Sequence, residues 1–374
     1  MQQATRAAAE IVAGTGPGAA MTHAWVITGP PGSGRTTAAE AFAAALQCPA
    51  GGCGTCHSCT TARDRTHADV EVVRPVGMHH RVDHMRELVR RAALSPAGGR
   101  WQVVVIEDAD RMEGTSQDWR AANALLKAIE EPTPRTVWVL CAPSLEDVLP
   151  TIRSRCRHIG LATPPVAAVA DVLVRRDGID PTMAAFAARA AQSHIGRARR
   201  LATDEGARLR RAEVLRIPTH LSGVGPCLTA AANVVEAAQE EAATVTGPLD
   251  AAETAELARA LGQGSSRGLD GRGRAQLKDL EKDQKRRATR IQRDVLDLAL
   301  LDLLGFYRDV LAVQLGAQVE LVNTDVERDV RAVARASTPE RTLQRIDSVT
   351  ACREQIAGNV AALLAVEALT VTLR

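Results

Sequence analysis

At 374 residues the chain is too long for one ordinary hydrophobic core and is expected to divide into two or three domains. Its 46 basic and 44 acidic residues leave a net charge of +2, which excludes a globally basic nucleic-acid coat and an acidic solvating tail. Hydrophobic residues at 45% with aromatics at only 2% exclude overall disorder and point to helical cores built from Ala, Leu and Val. Asp297, Asp302 and Glu367 interrupt the longest apolar runs, so no segment approaches the roughly 18 residues a membrane span needs. With no leader-like N-terminal pattern, a cytoplasmic protein without membrane attachment is expected.

In chain order, Trp25–Thr28, Val70–Arg74, Val103–Ile106 and Val137–Leu140 are strand candidates, short and rich in β-branched residues. Helical spacing of apolar residues fills 34–47, Arg81–Leu94 and Ala121–Ile129 between them. Near-continuous apolar strands alternating with amphipathic helices imply a parallel sheet covered on both faces. Beyond Leu161 the strand pattern stops, Pro164-Pro165 marks a break, and the remainder reads as Ala- and Leu-rich helix, with a small cluster to about Asp204 and a longer region after it. Within the latter, Gly262–Arg274 reads as a loop. The helix after it carries nine basic and four acidic residues from Arg272 to Asp294, with Leu277, Leu280, Gln284, Ile291, Val295 and Leu298 on one face. A solvated face is the simpler reading of that charge, and a DNA groove the alternative.

Three motifs carry chemistry. Gly29-Pro-Pro-Gly-Ser-Gly-Arg-Thr36 follows a strand and opens a helix, as a phosphate-binding loop does. Gly29, Gly32 and Gly34 let backbone N–H groups turn toward a polyphosphate, and the Thr36 hydroxyl, followed by Thr37, stands where Mg²⁺ would bind. Arg35 replaces the expected lysine, exchanging a compact ammonium for a wider fork. A glycine turn without ligand is the competing interpretation. Second, Val103–Ile106 ends in Glu107 and Asp108, where such a sheet presents a metal-binding and a water-orienting carboxylate, here in the reverse of the usual Asp-Glu order. Solvated acids at a strand end are the alternative. Third, Cys48, Cys53, Cys56 and Cys59 form C-x4-C-x2-C-x2-C around Gly51, Gly52 and Gly54, four thiolates suited to one tetrahedral structural zinc; His57 reads as a surface residue.

With VVVIEDADRM at 103–112, NALLKAIEEP at 123–132 and RSRCRHI at 153–159, these motifs resemble, in order and spacing, the delta-prime type of bacterial DNA polymerase III clamp-loader subunit, most closely its actinobacterial form. The resemblance implies an α/β RecA-like AAA+ domain with a parallel sheet over 1–161, a three-helix lid over 162–206 and an all-α collar over 207–374. It further implies assembly into a five-subunit ring with gamma/tau-type ATPases and delta, acting on the sliding clamp and primer-template DNA. Residue by residue, Arg155 of Ser-Arg-Cys matches the arginine that enters a neighbour's ATP site, and Arg199 the phosphate-sensing arginine of the lid. Cys141-Ala142 stands where active relatives carry a polar γ-phosphate sensor, and the segment before the loop, Met1 to about Ala13, is short. Structural zinc is the expected cofactor, with ATP and Mg²⁺ open. A subunit that completes a neighbour's site is the first reading, and an ATP-hydrolysing gamma/tau-type subunit the alternative.

Overall fold

A computed structural model describes residues 22–75, 77, 79–98, 100–112, 120–261 and 271–374. The expected N-terminal helix lies outside these residues, as does most of the expected loop at 262–274. The last four residues of that loop, from Gly271, are helical.

The chain forms two compact units. The first runs to Val169 and takes in Ser193–Gly196; the second comprises Ala170–Gln192 and Arg197–Arg374. In the first, five strands, β1 (Ala24–Thr28), β2 (Val70–Val73), β3 (Gln102–Ile106), β4 (Thr136–Ala142) and β5 (Arg157–Gly160), form one sheet in the order β2-β3-β4-β1-β5. Every pairing is parallel. The four expected strands are present within a residue or two. β5 was not anticipated as a strand, because its Arg-His-Ile-Gly sequence lacks an apolar run and most of it is exposed at the sheet edge.

The period of two along each strand sends alternate residues to opposite faces. Val26, Val104, Ile106, Trp138 and Leu140 pack with Met85 and Leu88 of α3 (Val82–Ala92) and Leu125 and Ile129 of α4 (Arg120–Glu130). Trp25, Ile27, Val103, Val105, Val137 and Val139 pack with Ala39, Phe42 and Leu46 of α1 (Arg35–Gln47) and Ala62 of α2 (His57–Arg63). β1 and β4 are thereby buried along their whole length, as a parallel sheet sandwiched between helices requires. A one-turn helix, α5 (Pro150–Arg153), leads into β5.

The second unit is helical: α6 (Val166–Asp177), α7 (Pro181–Ala190), α8 (Ile195–Thr203), α9 (Glu205–His220), α10 (Val224–Ala260), α11 (Gly271–Gln314), α12 (Glu327–Ala336), α13 (Pro339–Ala357) and α14 (Ala362–Leu373), of which α6 and α8 begin in residues of the first. Its core gathers Leu215, Ala231, Leu300, Phe306, Tyr307, Val310, Val349 and Leu369. No helix among the described residues is long and apolar enough to cross a membrane.

Two ion clusters, each centred on a buried acid, tie α8 to the longer helices. Asp302 of α11 pairs with Arg197 of α8 and, at 3.2 Å, with Arg211 of α9, which also reaches Asp325 at 2.7 Å. Glu241 of α10 pairs with Arg200 of α8 and, at 2.9 Å, with Arg210 of α9. Removing the acid of such a cluster takes a counter-charge from two arginines at once. Asp302→Ala should therefore lower unfolding free energy by about 3–5 kcal/mol in urea denaturation, whereas Asp171→Ala, in an exposed pair, should cost under about 1 kcal/mol.

Candidate nucleotide and metal sites

The loop between β1 and α1 has the conformation its glycines predict. Gly29, Gly32 and Gly34 hold φ values of +158°, +86° and +85°. At Gly32 a side chain would collide with His194, whose Cα lies 2.5 Å from where a Cβ would stand; at Gly29 it would meet the Leu161 carbonyl oxygen at 2.7 Å. Glycine is required at both positions by backbone angle and by space. Gly34 caps α1, leaving the helix N-terminus open to an anion. Thr36 is half-buried on the first turn and Thr37 is exposed.

The charged groups around the loop are arranged differently from what the motif alone predicts. Arg35 folds back and donates from Nη1 to the Gly29 carbonyl, so its guanidinium bonds to the loop's own backbone. Glu107, at the end of β3, is only 8% exposed and is held from two sides: Arg74 Nε at 2.6 Å from Oε2 and Arg65 Nη2 at 3.4 Å from Oε1. Arg65 in turn reaches Glu40 of α1 at 2.6 Å. A buried carboxylate with two guanidinium partners is already neutralised and makes a poor vacant ligand for Mg²⁺. Asp108 follows in the left-handed region, at φ +50°. Cys141, near the end of β4, is buried, and burial pushes its thiol up to about 12, so it stays a neutral thiol there.

The residues thus fit a phosphate at the loop and the start of α1 better than they fit a Mg²⁺–nucleotide complex. Arg65, Arg74 and His194 were not singled out from sequence, since each acts through a contact distant along the chain. The positive φ of Arg65, at +59°, follows from its place in the turn after α2 and has no sequence signature.

Beneath Glu107 lies His80, 5% exposed, which donates from Nε2 to the Glu107 carbonyl oxygen at 2.8 Å. Burial holds its pKa below the usual histidine range. The unfolded chain therefore takes up this proton first, and the stability supplied by neutral His80 declines as pH falls below about 6.5. His80→Gln, which keeps an N–H donor but cannot titrate, should flatten the stability profile between about pH 7 and pH 5 in denaturant titrations.

The four cysteines converge. Cys48 ends α1, Cys53 and Cys56 lie in the turn shaped by Gly51, Gly52 and Gly54 with φ of +69°, +112° and +79°, and Cys59 lies on α2. Their Sγ atoms all fall within 4.8 Å of one another, and Cys48 stands 3.7 Å from both Cys53 and Cys56. A tetrahedron with metal–sulfur bonds of about 2.3 Å has edges of about 3.8 Å, so the cluster matches a four-thiolate metal site. Backbone N–H groups of Ala50 and Cys53 approach Cys48 Sγ at 3.3 and 3.4 Å, and that of Cys56 approaches Cys53 Sγ at 3.3 Å. The N–H groups of Thr55 and Cys56 bring the Cys53 thiol down to about 6, while burial drives Cys59 up to about 12. His57 is exposed. Elemental analysis should find about one divalent metal per chain, and Cys48→Ser, which removes the ligand touching both turn cysteines, should lower that content to near zero.

The two arginines assigned by resemblance each carry an ion pair. Arg155, after α5, is exposed; its Nη2 pairs with Glu130 of α4 at 2.8 Å and its Nη1 donates to the Thr151 carbonyl at 2.9 Å. Arg199, on α8 in the second unit, pairs through Nε with Asp177 at 2.8 Å.

A parallel sheet with a glycine-cradled loop at the end of β1, an acidic strand end on β3 and helices on both faces is an AAA+-type P-loop module. The family described as DNA polymerase III, delta subunit, matches residues 14–165, and its C-terminal family matches 294–371. The chain belongs to the clamp-loader family of DNA polymerase III subunits. It is 38% identical over 159 residues to DNA polymerase III subunit delta' of Pseudomonas aeruginosa, a match covering 41% of this chain and 47% of that protein. It is 32% identical over 160 residues to subunit gamma/tau of Mycobacterium tuberculosis H37Rv, covering 41% and 27% respectively. The chain thus spans less than half the length of these curated relatives. Among solved structures, the Bacillus subtilis clamp loader delta protein aligns over 99% of both chains with 10% identity and a TM-score of 0.33.

Proposed function

We propose that the chain is a delta-prime-like subunit of the replicative clamp loader, which contributes Arg155 to the ATP site of a neighbouring gamma/tau-type subunit without turning over ATP itself. The observation that carries this choice over the gamma/tau alternative is the neutralisation of Glu107 by Arg65 and Arg74. Arg35 bonded to the Gly29 carbonyl, and a thiol at 141 in place of a polar sensor, act in the same direction.

Arg155 is suited to act in trans. Its side chain is 42% exposed, and a single ion pair to a half-exposed glutamate is weak enough to be exchanged for a phosphate on assembly. A guanidinium entering at a subunit boundary neutralises charge on the transferring phosphoryl group and couples ATP occupancy to ring closure. The fit of the four cysteines to a tetrahedral thiolate site supports structural zinc, with no open coordination position for catalysis. On this reading the protein works in the cytoplasm in a five-subunit ring with gamma/tau-type and delta subunits, on the sliding clamp and primer-template DNA. Gly29, Gly32, Gly34, Arg35, Thr36 and Thr37 then form a retained phosphate cradle, and Arg199 a lid arginine held by Asp177.

The test is a reconstituted loader assayed for DNA-stimulated ATPase. Arg155→Ala should cut the rate at the adjacent site by at least about 10²-fold with unchanged thermal stability of this subunit, while Glu107→Gln should leave turnover unchanged. Full activity with Arg155→Ala would remove the role in trans. A rate lost with Glu107→Gln in a chain that still folds and assembles would favour the gamma/tau reading.

A further inference from the structure

The helical hairpin formed by the end of α10 and the start of α11 sorts its charge by face. No described side chain of α10 beyond Thr246, or of α11 before Leu296, is buried, so this stretch is an arm and not part of the core. The two helices are fastened to each other by polar ties. Arg287 of α11 pairs with Asp250 and, at 2.6 Å, with Glu253 of α10, and Gln284 donates to the Asp250 carbonyl at 3.0 Å and to Thr254 Oγ1 at 3.1 Å. Two of the arm's acids on α10 are thereby turned inward, leaving Glu256 exposed on that helix.

On α11 the segment Arg274 to Arg293 holds eight basic and three acidic residues, in a chain whose net charge is only +2. At 3.6 residues per turn, Arg274, Lys278, Lys282, Lys285, Arg286 and Arg293 fall within an arc of about 120°. Leu277, Leu280, Gln284, Arg287 and Ile291, which face α10, lie on the opposite side. Asp279 and Asp283 flank the arc and pair with Lys282 and Arg286 at 3.2 and 3.1 Å in exposed contacts that yield readily to a phosphate, and Glu281 lies at the other edge. Lys278 and Lys285 are exposed and carry no ion pair among the described residues. A solvated helix needs no such segregation: cations spread around it would keep it as soluble. A row of cations about 28 Å long on a two-helix arm matches a run of about eight base pairs of duplex backbone.

We propose that this face of α11 binds the phosphate backbone of double-stranded DNA directly and without regard to sequence. The inference is independent of whether Arg155 or Glu107 acts on ATP.

The experiment uses the full chain and a fluorescein-labelled 20-base-pair duplex of arbitrary sequence, read by anisotropy without nucleotide. Affinity should fall about 10²–10³-fold between about 50 and about 200 mM NaCl, as release of four to five counterions requires. Lys278→Glu/Lys285→Glu, at two exposed side chains of the arc, should weaken binding at least tenfold at low salt and flatten the salt slope by about two. The control Arg86→Glu/Arg328→Glu makes the same charge change on exposed helices away from the arm and should stay within twofold. Absence of duplex binding at low salt, or equal losses in both double variants, would overturn the proposal. So would competition by polyglutamate as effective as that by DNA, which would make the arm a docking site for an acidic protein.

Discussion

A buried carboxylate at the end of a central strand must be neutralised, and in this chain Glu107 sets how the phosphate-loop edge of the sheet is built. Its partners come from two connections, Arg65 from the turn after α2 and Arg74 from the end of β2. Arg65 also reaches Glu40 on α1, so one ionic chain links the helix that opens at the phosphate loop, the cysteine-bearing segment and the acidic strand end. The same contacts that stabilise this edge occupy the carboxylate a metal–nucleotide complex would need. Stability and hydrolysis compete here for one side chain.

The sheet's interior was legible in the sequence because β1, β3 and β4 are buried on both faces, and burial on both faces forces apolar, β-branched runs. β5 escaped detection for the converse reason: at the edge, Arg157 and His158 face solvent, and parallel pairing with β1 is set by backbone hydrogen bonds that leave no mark on composition. In the candidate sites, Gly29, Gly32, Gly34 and the four cysteines could be read from spacing because local backbone geometry and metal coordination both constrain neighbours in sequence. Arg65, Arg74 and His194 could not, since their roles arise from approaches across many residues. Charge is the least legible property of all: composition marks the start of α11 as basic, but only the pairing of Arg287 with Asp250 and Glu253 shows which of its cations face outward.

The helical unit is held by ion clusters around two buried acids as well as by its apolar core. Arg197 and Arg200, on successive turns of α8, are bound by Asp302 of α11 and Glu241 of α10. Buried clusters of this kind contribute less net stability than apolar packing of equal volume, but they tolerate few alternative arrangements, so they fix how α8 lies on the longer helices. Since the same helix carries Arg199, the orientation of that side chain is inherited from contacts made two residues before it and one residue after.

The helix that begins at the phosphate loop ends on a cysteine of the metal cluster. α1 runs without a break from Arg35, which bonds to the loop, to the residue before Cys48. Four thiols gathered this closely repel one another once deprotonated unless a cation sits among them. Occupancy of the metal cluster would therefore be felt at the phosphate loop through the length of one helix: a chain without metal would lack the anchor at the far end of α1, and the loop at its near end would lose the base on which its geometry rests.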